Sequence, residues 1–252
     1  MNPSSSQLGK KISTQLIFLL LIVLIWTLMT HALSVSSLLL PQPDLVLHRL
    51  LSLVTSGEWI EPFKITFSEV FTAFFLSSVL AIGLGFLLSM STLMMRAFEP
   101  LLNAMNAIPA ILFFPLFALL FGLDQGSKIA LGFTISFFPI LINAITAFTS
   151  VEAIHKKTAK SLGASRWQFF RYILIPSSIP LIVSGLRMGL MLCFLSVLGG
   201  ESIASYNGLG HQIAEAAQAM DSELMYAWIL LVIAISFALS MTLSQLERMG
   251  RR

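Results

Sequence analysis

A single cysteine, Cys193, stands in 252 residues, so the chain can close no internal disulfide and offers no thiol pair to a metal. Charge is scarce too: Asp, Glu, Lys and Arg make up 11% of the chain, against about 25% in a typical soluble domain. The chain has no glycine-rich phosphate loop, and its nearest look-alike, Gly126-Ser127-Lys128, has the wrong spacing. The four histidines, His31, His48, His155 and His211, are scattered, and no His-Glu-x-x-His occurs. Gly163-Ala164-Ser165-Arg166-Trp167 lacks the second glycine of a nucleophile elbow. These absences exclude a nucleotide-hydrolysing, zinc-dependent or serine-type enzyme, and no catalytic site is expected.

Apolar bulk is what the chain has instead. Hydrophobic residues reach 56%, with 20 Phe and 12 Met, more than one aqueous core can bury. Runs of span length fall at 14–33, 65–90, 100–121, 128–148, 179–199 and 225–243. Each is long enough to cross about 30 Å of hydrocarbon as a helix. The alternation of a membrane barrel is absent, so the fold class is all-α, a polytopic membrane protein with about six transmembrane helices. This leaves no room for a separate catalytic domain, and residues 1–252 are expected to form one transmembrane domain. Lys10 and Lys11 before the first run also fit a secretory leader, but five further runs make a retained anchor more economical.

A pI near 9.2 raises the question of nucleic acid, yet the basic residues sort by loop and not along a stripe. With a cytoplasmic N-terminus the inside receives Lys10, Lys11, Arg96, Lys156, Lys157, Lys160, Arg166, Arg171, Arg248, Arg251 and Arg252. The outside receives Arg49, Lys64 and Lys128, and the segment 200–224 has acidic residues but no Lys or Arg. This asymmetry places both termini in the cytoplasm and calls for no nucleic-acid partner. Between the first two spans, leucines recur every three or four residues after Pro43 and Asp44. A short helix follows, either lying on the outer surface or packed on neighbouring spans.

One inside loop is substantial, residues 149–178, and its punctuation is readable. A helix over 152–162 meets Gly163, a candidate left-handed C′ residue. Ser165 with Gln168 three residues on forms a capping-box pattern. A second helix over 166–175 carries Trp167, Phe169, Phe170 and Tyr172 among Arg166 and Arg171, and Pro176 and Pro180 are expected to close it. Several aromatics on a short cytoplasmic helix call for a cover. A partner groove and the lipid headgroups both fit.

The run Lys157-Thr158-Ala159-Lys160-Ser161-Leu162-Gly163, nine residues, then Ile173-Leu174-Ile175-Pro176 resembles the loop signature of ABC importer permeases, EAA-x3-G-x9-I-x-L-P. Ala159, Gly163, Ile173 and Pro176 agree; Lys157 replaces the glutamate, Thr158 the first alanine and Ile175 the leucine. Ile108-Pro109-Ala110, Phe114-Pro115-Leu116, Phe138-Pro139-Ile140, Ser184-Gly185-Leu186-Arg187, Glu201 and Gly208-Leu209-Gly210 are similar to the nitrate/sulfonate/taurine branch, in the same order. The resemblance covers residues 93–252 and implies the type I importer permease fold in a bacterial inner membrane. It further implies a second copy of the chain, two ATPase subunits that bind ATP and Mg, and a solute-binding protein. No cofactor is expected in this chain. The implied coupling loop includes Lys157, Ala159, Gly163, Ala164, Ser165, Arg166, Trp167, Phe170, Arg171 and Pro176. The branch handles small anions such as nitrate, sulfonates and taurine, and also pyrimidines and aromatic carboxylates. A stand-alone channel or secondary transporter is the competing class, and it would need polar groups paired across the midplane.

Transport also needs spans that can exchange packing. Pro109, Pro115 and Pro139 interrupt the helical ladder, and Asn103, Asn106 and Asn143 place amides in apolar runs. They either line or gate the path or act as interhelical glue. Arg187 either snorkels to the cytoplasmic surface or offers charge to an anion. The family position of Glu201 implies a structural or outer-gate role.

Overall fold

Long apolar segments must satisfy their backbone groups internally, and helix does so within one segment. The computed structural model describes residues 5–31, 36–150, 159 and 161–250, and every regular element among them is helical. In chain order these are α1 (Ser5–His31), α2 (Pro43–Ser56), α3 (Ile60–Ser89), α4 (Thr92–Ala107) and α5 (Phe114–Phe121). They continue as α6 (Gln125–Thr149), α7 (Arg166–Phe169), α8 (Ile175–Ile203), α9 (Leu209–Gln218) and α10 (Ser222–Gly250). A 3-10 turn, Ala110–Phe113, precedes α5, and a π turn, Phe170–Leu174, joins α7 to α8.

Among the described residues four helices are long and apolar enough to cross a bilayer: Ile60–Ser89, Gln125–Thr149, Arg166–Ile203 and Ser222–Gln245. Leu20–Thr30 and Ala110–Phe121 are shorter apolar stretches. The run 14–33 falls on α1, with residues 32 and 33 outside the described residues. The run 100–121 is expected to be one span interrupted at Pro109 and Pro115; the structure breaks it before Pro109 and starts α5 with Pro115 in its first turn. Pro109 biases the residue before it away from helix, and Ile108 is extended (φ −78°, ψ 125°), so α4 ends at Ala107.

A correction applies at Pro176 and Pro180. Both are expected to end the loop helix, yet Arg166–Ile203 is continuous. Pro176 falls in the first turn of α8 and Pro180 inside it. The π turn just before them, in which the Ile175 amide donates to the Phe170 carbonyl, widens the ladder where proline cannot donate. The Ser178 hydroxyl reaches the Leu174 carbonyl at 2.7 Å, a further local adjustment.

The chain divides into two compact units, residues 1–59 with 212–232 and residues 60–211 with 233–252. In the first, Trp26 Nε1 donates to the Pro41 carbonyl at 2.9 Å, and Tyr226 Oη donates to the Leu39 carbonyl at 3.1 Å. Arg49 of α2 pairs with Asp221 at 3.2 Å. Val46 and Leu53 are buried on α2 whereas Leu47 and Leu51 are exposed, and Gly57 closes the helix at φ 78°.

In the second unit α6 packs chiefly on α8 and α3. Small residues make the approach close, as membrane helix pairs require. A Cβ on Gly189 would lie 2.5 Å from Ile140, and one on Gly85 would lie 2.8 Å from the Ala144 Cβ. Ser136 of α6 donates to Ser77 of α3 at 2.8 Å, and the Cys193 thiol faces the Val70 carbonyl at 3.6 Å. Cys193 is thus a small buried packing group.

Candidate functional site

The triad α3, α6 and α8 carries distinct chemistry at its two ends. At one end sit the C-termini of α3 and α6 and the start of the long Arg166–Ile203 helix. The Phe86 ring meets Phe148 and Phe170 edge-on, with centroids 5.4 Å away in each case. Trp167 stacks on Phe170 at 5.6 Å.

The turn before this helix folds as the sequence predicts. Gly163 has φ 68°, and the Ala164 amide donates to the Ala159 carbonyl at 3.0 Å, the long closing bond of a Schellman turn. Ser165 and Gln168 exchange both capping-box bonds, at 2.8 and 3.2 Å. Trp167 is 69% exposed and Tyr172 73% exposed, and Arg166 and Arg171 are exposed beside them. A groove of about 610 Å³ runs along this surface, lined by Phe86, Met90, Ala159, Ala164, Trp167 and Leu174 among others. Lys157 and most of the predicted helix over 152–162 lie outside the described residues.

At the other end, the N-terminal turns of α3 and α6 and the C-terminal turn of α8 meet at a buried charge cluster. Glu69, Lys128 and Glu201 are each only 1% exposed. Thr66 donates to Glu201 Oε1 at 2.7 Å and accepts from the Leu209 amide at 2.9 Å. The Gly210 amide donates to Glu201 Oε2 at 2.8 Å. Gly208, at φ 112°, clears the carboxylate, since a Cβ there would lie 2.1 Å from Glu201 Oε1. Lys128 Nζ donates to the Leu123 carbonyl at 2.9 Å. Glu69 faces Glu201, Lys128 and Asp124 electrostatically, with its carboxyl turned to that of Glu201, and no donor lies within hydrogen-bond reach of its oxygens.

Three members of this cluster escape the sequence reading. Lys128 reads as an exposed loop cation and is instead buried; Glu69 and Thr66 are not singled out. The available signal was Glu69 itself, the only charged residue in the run 65–90, because an ionisable group inside a span marks function or pairing.

The candidate path residues do not converge on one point. Pro109 and Pro139 line a cavity of about 360 Å³ with Met105, Ile108, Phe113, Thr134, Phe138 and Leu192 among others. Asn143 instead donates to the Pro139 carbonyl of its own helix at 2.8 Å. It also packs on Gly185, where a Cβ would lie 2.5 Å from the Asn143 Cβ. Pro115 is exposed in the first turn of α5, and Arg187 is half-buried on α8. The side chains of Asn103 and Asn106 are outside the described residues.

Among the described residues the fold is an all-helical membrane unit with a broken span and a capped, aromatic-bearing turn. The family model of the binding-protein-dependent transport system inner membrane component matches residues 73–248, and the chain belongs to that family. The taurine transport system permease protein TauC of Escherichia coli is 28% identical over 251 residues, covering 98% of this chain and 90% of that protein. The riboflavin transport system permease protein RibX of Chloroflexus aurantiacus is 31% identical, covering 92% of this chain and 86% of its own length. An inward-facing structure of the MetNI methionine ABC transporter superposes with a TM-score of 0.65 at 17% identity, covering 74% of this chain and 93% of that one. The chain is therefore a non-catalytic, multi-pass permease subunit of an ABC importer, a family that works with a separate ATPase and a solute-binding protein.

Proposed function

We propose that this permease forms, with a second copy of itself, the path for a small organic or inorganic anion, a sulfonate, taurine or nitrate being the class. The solute arrives from a binding protein outside, and two ATPase subunits that hold ATP and Mg drive its release. Similarity to the taurine permease over nearly the whole chain supports the substrate class. Both termini then lie in the cytoplasm, in keeping with the Lys and Arg asymmetry.

The observation that carries the coupling role is the exposed pair Trp167 and Tyr172 on a helix held by a complete capping box. Exposed aromatics on a rigid, capped turn suit insertion into a cleft on the ATPase subunit. Ala159, Gly163, Ala164 and Ser165 shape the turn, Arg166, Trp167, Phe170 and Arg171 present the surface, and Pro176 follows the π turn. Lys157 is assigned to the same coupling role from its place in the loop signature. Pro109 and Pro139 line the path, and Pro115, Asn103, Asn106, Asn143 and Arg187 are assigned to the path or its gate from the sequence. Glu201 holds the outer gate.

Co-purification tests the coupling role. Full-length chain is expected to capture its ATPase subunit from detergent extracts, and a chain lacking residues 164–172 is expected to insert but lose it. Retained capture by the deletion variant would overturn the assignment.

A further inference from the structure

Glu69 is the one acid of the buried cluster to which no other group donates a hydrogen bond. Glu201 is served by Thr66 and by the Gly210 amide, and Lys128 has the Leu123 carbonyl. Glu69 is as deeply buried as either, yet its carboxyl turns only to that of Glu201, with no donor within hydrogen-bond reach of its oxygens. A buried carboxyl in that condition is destabilising, and packed apolar groups or an amide would serve a static fold better. Its charged neighbours are Glu201, Lys128 and Asp124, and only Lys128 is a cation.

The ammonium of Lys128 has three donors, and the Leu123 carbonyl takes one of them. Leu123 lies in the turn between α5 and α6, the stretch that follows the broken span, whereas Glu69 lies on α3. A shift between α3 and the α5–α6 turn would therefore exchange one acceptor for the other. We propose that Glu69 is the alternate acceptor for Lys128, and that the transport cycle passes the Lys128 ammonium between the Leu123 carbonyl and the Glu69 carboxylate. Glu69 and Lys128 are then positioning residues that give the outer gate two discrete arrangements, as a switching element requires. The inference rests on the permease reading above.

The test uses the intact assembly of this chain and its ATPase subunit in lipid nanodiscs, with ATP turnover and thermal melting measured side by side. Glu69→Gln keeps the shape and removes the acceptor charge. It is expected to melt no lower than the natural complex while ATP turnover falls roughly fivefold or more. Lys128→Met leaves two buried carboxylates facing each other and is expected to melt lower; adding Glu69→Gln should recover the melting temperature but not the turnover. Natural turnover in the Glu69→Gln complex would overturn the proposal, as would a fall in melting that accounts for the lost turnover. Failure of the natural chain to bind an ATPase subunit would instead count against the permease reading.

Discussion

At the residue scale the strongest constraint is the polar chain Leu209–Thr66–Glu201–Gly210. One hydroxyl serves as donor to Glu201 and acceptor for Leu209, so no apolar side chain can replace it. Thr66→Val should leave a buried acceptor and a buried amide short of partners, at a cost of about 1–3 kcal/mol each. Thr66→Ser should retain most of the stability. Thermal melting of the purified chain in one detergent compares the two, and equal melting of the Val and Ser variants would remove the hydroxyl from the account. Gly208→Ala meets two obstacles, a positive φ and the Glu201 carboxylate at 2.1 Å, so it should lower melting further than alanine at Gly83, where nothing lies within 4 Å.

At the element scale, legibility followed locality. Gly163, Ser165 and Gln168 lie within a few residues of one another, and their interactions are helix-end rules that act along the chain. Positions of the long apolar helices were legible for the same reason. Of the interruptions expected at Pro109, Pro115 and Pro139, only the first ends a helix; Pro115 sits in the first turn of α5 and Pro139 inside α6, and residue type alone does not tell them apart. Pro176 and Pro180 mislead in the same way as Pro139, since a π turn upstream absorbs what the residue type alone predicts will break. The charge cluster was hidden for a different reason. Residues 69, 128 and 201 meet only after three helices pack, and a lysine at the edge of an apolar run looks the same whether it is solvated or buried. Because capping is local, Ser165→Ala should destabilise the turn by about 1 kcal/mol without a measurable change in whole-chain melting. Its effect should be seen as weaker ATPase capture, while Gln168→Glu, which can keep the reciprocal bond, should capture normally.

At the scale of the whole molecule, the two chemistries sit at opposite ends of the same three helices. Lys128 and Phe148 lie on α6 about 30 Å apart at 1.5 Å per residue, which matches the hydrocarbon thickness. One end carries exposed aromatics and the other a sealed polar cluster, so under the proposed coupling role a push at the first would travel along these closely packed helices to the second. This requires the turn at Gly163 to be cytoplasmic. The single natural cysteine makes the point testable, because Cys193 is buried and should contribute little background to thiol labelling. A Tyr172→Cys chain exposes a thiol at a position that is 73% accessible. A membrane-impermeant maleimide should label it in inside-out vesicles and not in intact spheroplasts, and bound ATPase subunit should protect it. Labelling from the outside of spheroplasts would reverse the orientation and separate the coupling turn from any cytoplasmic motor.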